Sequence, residues 1–72
     1  MIFTTKTLIG DILDHPAARA ALDRAIPGAS EGYFFPTVRH LSIYYIDNFA
    51  PGKIRKDEIA AVEREFEKLG DV

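Results

Sequence analysis

Seventy-two residues suffice for one small domain and leave no room for a second. A chain that is 47% hydrophobic and 28% charged, with a net charge of −2, has the balance of a folded domain rather than a disordered one. Without cysteine it can form no disulfide framework, no thiolate zinc site and no thiol nucleophile.

Charge is spread evenly along the chain. Residues 1–50 carry four basic and five acidic side chains, and residues 51–72 carry five and six. No basic footprint exists, which argues against nucleic acid or a membrane surface as partner. No apolar run approaches the ~20 residues of a membrane span, and no signal-peptide core follows Met1, so a cytoplasmic location is the default expectation.

Residues 2–6 are β-branched and aromatic but have no second strand to pair with, so they are expected as an extended arm over a helical core. Thr7 is the expected N-cap of a short helix through Leu8, Ile9, Ile12 and Leu13. Gly10 weakens that helix by about 1 kcal/mol relative to alanine. Pro16, a favourable first helical residue, starts a second helix that runs to about Ile26. Its Ala18, Leu22 and Ile26 recur on one face, Ala21 and Ala25 lie beside them, and Arg19, Asp23 and Arg24 face outward. Small alanines let a neighbouring helix approach closely.

Pro27-Gly28 ends that segment, and residues 28–36 read as a loop with a single turn beginning at Pro36. Ser42 then caps a helix in which Leu41 and Ile46 are placed as a hydrophobic staple and Ile43, Ile46 and Phe49 face the core. The last helix has the clearest pattern, with Ile59, Val62, Phe66 and Leu69 at 3-4-3 spacing. Arg55 is its expected N-cap, Ile54 and Ile59 form a second staple, Glu58 stands at the capping-box position, and Gly70 stands at the end. The predicted fold class is all-α, a compact orthogonal bundle of four or five short helices with an extended N-terminal arm. The core is expected at Leu8, Ile12, Leu13, Ala18, Leu22, Ile26, Leu41, Ile43, Ile46, Phe49, Ile59, Val62, Phe66 and Leu69.

The catalytic inventory is thin. His15 and His40 are the only imidazoles, and Ser30 and Ser42 the only serines. A hydrolase would need one of each to converge with a carboxylate. No nucleophile-elbow spacing supports that, Ser42 is accounted for as a cap, and His15 before Pro16 reads as a capping or partly exposed residue. Glu63, Glu65 and Glu67 scatter around the last helix and are read as a solvated face with Arg64–Glu67 and Glu65–Lys68 pairs. Gly28 and Gly32 bracket a loop that lacks the lysine of a phosphate cradle. Lys53, Arg55 and Lys56 form a basic cluster that is read as a solvated turn. No catalytic residue, metal ligand or cofactor site is therefore expected, and the chain is read as a non-enzyme.

The aromatic residues are more informative. Tyr33, Phe34 and Phe35 are consecutive in a loop, where three rings cannot all point the same way. One or two of them are expected to plug the core and the rest to form a contact surface. Tyr44 and Tyr45 lie ~100° apart on a helix, which places one core-side and the other outward. The candidate interaction surface is thus Tyr33, Phe34, Phe35, Tyr44 and Tyr45. It suits a protein partner or a second copy; exposed rings could alternatively stack on sugar faces in a carbohydrate-binding module.

The run Thr7-Leu8-Ile9-Gly10-Asp11-Ile12-Leu13-Asp14-His15-Pro16-Ala17-Ala18-Arg19-Ala20-Ala21-Leu22, followed by Ile26-Pro27-Gly28, resembles a small helical module carried at the C-terminus of some bacterial carbohydrate-active hydrolases. Leu41-Ser42-Ile43, Ile54, Asp57-Glu58-Ile59 and the stretch Val62 to Leu69 continue the likeness. The chain is similar, more distantly, to the redox-disulfide domain associated with hybrid-cluster proteins, which carries a cysteine pair in its central loop. The resemblance covers residues 7–28 and 41–69. It implies an accessory role for a domain spanning residues 1–72, whether a whole protein or an excised module. It transfers no catalytic residue and, without cysteine, no thiol chemistry. Residues 29–40, with their Tyr-Phe-Phe-Pro run, fit neither pattern.

Overall fold

A computed structural model describes all of residues 1–72. The chain is all-α. Its elements are α1 (Ile9–Asp14), α2 (Pro16–Ala25), a 3₁₀ turn (Ala29–Glu31), α3 (Phe34–Thr37), α4 (Ile43–Phe49) and α5 (Lys56–Leu69). No helix is long and apolar enough to cross a membrane.

The N-terminal arm is present, and its anchor is Phe3. This ring is almost completely buried, meeting the His15 ring edge-on at 4.9 Å and Phe66 at 6.1 Å. On either side of it the arm bonds backbone to backbone. Ile2 bridges to Asp71, Val72 N–H donates to the Met1 carbonyl, and Tyr44 N–H donates to the Thr5 carbonyl at 2.9 Å.

Helix α1 begins one residue later than expected. Thr7 does not cap it; its hydroxyl accepts from Thr4 N–H, and Leu8 takes the N-cap position without a side-chain bond. The first helical donors turn instead to the 39–41 segment, Ile9 N–H to the Leu41 carbonyl at 2.8 Å and Gly10 N–H to the Arg39 carbonyl at 2.9 Å. The free N–H groups of a helix start are thereby satisfied by tertiary contact rather than by a cap. This shift moves the buried stripe to Ile9, Ile12 and Leu13 and leaves Leu8, expected in the core, at the surface. It also explains Gly10: a Cβ there would lie 3.1 Å from the Arg39 carbonyl oxygen and 3.3 Å from its Cβ.

His15 ends α1 and caps α2, its Nδ1 accepting from Ala18 N–H at 3.3 Å. Ala18, Ala21 and Leu22 are fully buried, and this small-residue face is what α5 packs against with Val62 and Phe66. Arg24 spans the same pair of helices to Glu65 at 2.8 Å. Asp23 does not simply face outward. Its carboxylate accepts from Ser30 N–H at 2.8 Å and Ser30 Oγ at 2.6 Å, holding the 3₁₀ turn against α2.

Both later helices start as expected. Ser42 Oγ accepts from Tyr45 N–H at 3.0 Å, and Glu58 accepts from Arg55 N–H at 3.1 Å. Ile54 is buried ahead of α5 and Ile59 packs beside the core. Gly70, at φ 69°, closes α5 in a backbone conformation that side chains rarely adopt.

Two further expectations are corrected. The helical turn in the aromatic loop starts at Phe34 rather than Pro36. Phe49, expected in the core, is 76% exposed. It occupies the last turn of α4, and Ile43 and Ile46 already take the positions that face inward. Ile26, Leu41, Ile59 and Leu69 pack partly buried around the core, while Phe3, Ile9, Ala21, Ala29, Phe35 and Ile54 join it.

Candidate functional site

The rings of α4 and the aromatic loop meet at one hollow of about 320 Å³. Tyr45 and Phe49, four residues apart, share one face of α4 and stack with centroids 5.4 Å apart and planes 10° from parallel. Phe34 and Val38 close the hollow from the α3 side, and Leu41 and Ile46, the residues expected as a staple, form part of its wall. Lys53 is the single charged side chain in the lining, with its Nζ 5.2 Å from the centre of the Phe34 ring. It forms no ion pair, unlike its neighbours: Arg55 meets Asp57 and Glu58, and Lys56 meets Asp47 at 3.0 Å.

The structure divides the five rings of the expected surface. Phe35 is buried and joins the core; Phe34 is half-buried, with its ring edge-on to Phe35 at 5.3 Å. Tyr33 stands 96% exposed immediately before the hollow. Neither tyrosine of the α4 pair is core-side. Tyr45 is 47% and Tyr44 51% exposed, because Ile43 and Ile46 fill the inward face and leave the two rings on opposite flanks. Tyr45 joins the hollow, whereas Tyr44 borders a larger, more polar depression near the arm, with Lys6 Nζ 4.9 Å from its ring centre. Phe49 is the member that sequence reasoning assigned elsewhere. Its spacing from Tyr45 was the signal that could have placed it here.

The candidate polar residues are dispersed among structural tasks. His15 caps α2, Ser42 caps α4, Ser30 is bound to Asp23, and His40 lies exposed after α3. Neither histidine is hydrogen-bonded to either serine. No group of three or more histidine, aspartate or glutamate side chains gathers as a metal site would require. On α5 the Glu65–Lys68 pair forms at 3.3 Å; Arg64 and Glu67 do not pair. Glu65 also accepts from Arg24, and the hydrogen bonds from Arg24 and then Lys68 hold its carboxyl below the usual range. These groups maintain the scaffold that carries the aromatic hollow. No protein-family model, curated protein or solved structure matches this chain.

Proposed function

We propose that the chain is a non-catalytic protein–protein interaction module that docks another polypeptide on the hollow formed by Phe34, Tyr45 and Phe49. One observation carries this reading: a phenylalanine 76% exposed, stacked on a tyrosine at the mouth of an almost wholly apolar hollow. An exposed ring of that size gains nothing from water, and aromatic anchors in pockets dominate protein interfaces. An accessory role agrees with the module type that residues 7–28 and 41–69 resemble.

Carbohydrate binding is less well supported. A sugar face carries hydroxyls that need partners, and the lining side chains offer only the Lys53 ammonium and the Tyr45 hydroxyl. Tyr45 and Phe49 also cover one face of each other, which leaves less open ring for stacking.

Site-specific photo-crosslinking in the cell that makes the protein tests the proposal. A benzophenone side chain at position 49 is expected to yield discrete heavier products, and one at the exposed Arg19 position of α2 is expected not to. Equal yields at the two positions, or none at position 49, would overturn it.

A further inference from the structure

We infer that the occupant of the hollow is Tyr33 of a second copy of this chain, the two copies exchanging rings across a two-fold axis. The inference rests on the interaction reading above and names its partner. Tyr33 is the most exposed large hydrophobic side chain in the molecule, and the next residue, Phe34, lines the hollow. Projection and hollow are therefore adjacent in the chain. A two-fold interface requires such a self-complementary patch, in which residue i meets residue j and j meets i.

Size and charge agree with this occupant. A hollow of about 320 Å³ can receive one aromatic side chain. Lys53 at its rim has no carboxylate partner, and Glu31, two residues before Tyr33, forms no ion pair either. When Tyr33 enters the opposite hollow, Glu31 travels with it toward Lys53 of the other copy. The pairing occurs twice, once on each side of the axis.

Area sets the strength. Large rings offer roughly 200 Å² each. At exposures of 96%, 76% and 47%, Tyr33, Phe49 and Tyr45 leave about 440 Å² open per copy. Two copies then bury about 900 Å², below the ~1,200 Å² at which stable interfaces begin. The dimer is weak and forms in concentrated solution.

Sedimentation velocity over a concentration series tests the inference. The wild-type chain is expected to shift reversibly from monomer to dimer. Tyr33→Ala, which removes an exposed ring and leaves the core intact, is expected to weaken association about tenfold or more. Glu31→Lys and Lys53→Glu should each weaken it, and the double variant should restore it. A wild-type chain that stays monomeric throughout, or a dimer indifferent to Tyr33→Ala and to both charge reversals, would overturn the inference. If such a monomer still crosslinks to a different protein through position 49, only the identity of the occupant is wrong. If it crosslinks to nothing there, the interaction reading falls as well.

Discussion

Gly10 illustrates how a single residue carries tertiary information. Inside a helix, alanine exceeds glycine by about 1 kcal/mol, so local propensity alone favours Gly10→Ala. The Arg39 carbonyl lies where the methyl group must go. That carbonyl cannot retreat easily, because it accepts the Gly10 N–H while the Leu41 carbonyl accepts the Ile9 N–H. Gly10→Ala is therefore expected to lower the melting temperature, and a higher one would show that the segment yields. His15 makes a second test at this scale. Its ring nitrogen satisfies the Ala18 N–H at the start of α2 and its edge meets Phe3. Loss of an N-cap costs about 1 kcal/mol, and His15→Ala should cost at least that in urea unfolding. A variant as stable as the wild type would deny the cap any weight.

Among the elements, the arm and the α2–α5 pair hold the scaffold. Phe3 links the arm to α5 and to the α1–α2 junction, so Phe3→Ala removes a shared contact as well as a buried ring. Such a truncation costs about 3–5 kcal/mol, a large part of the stability of so small a domain. A smaller loss in chemical denaturation would mean that the arm is ornamental. The Arg24–Glu65 tie adds a pH signature. Glu65 has a lowered pKa in the folded chain, so the stabilisation it provides is complete above the ordinary carboxylate range. It is lost as pH falls through that lowered value. Glu65→Gln should consequently melt below the wild type at neutral pH, and the difference should close in acid. A difference that persists unchanged in strong acid would contradict the assigned cause.

At the scale of the whole molecule, legibility in the sequence followed periodicity. The amphipathic α5, the Pro16 start of α2 and the Ser42 and Glu58 caps are local signals, and each was readable. The start of α1 was not, because its first N–H groups are satisfied by carbonyls some thirty residues away. Phe3 and Phe35 lie in segments without a repeating pattern, so nothing local singles out which ring there is buried. Phe49 was misassigned for the opposite reason: it follows the apolar pattern of α4, but the helix ends there and leaves it uncovered. The aromatic surface was legible as a concentration of rings and illegible as a shape, since α3 and α4 together make the hollow.

Comparison of amide NMR spectra from dilute and concentrated solutions tests the central claim most directly, residue by residue. Shifts confined to the segment around Glu31 to Val38 and to the α4 end from Tyr45 to Lys53 are the result this account predicts. Shifts centred on the arm and its neighbouring depression, or spectra unchanged by concentration, would contradict it.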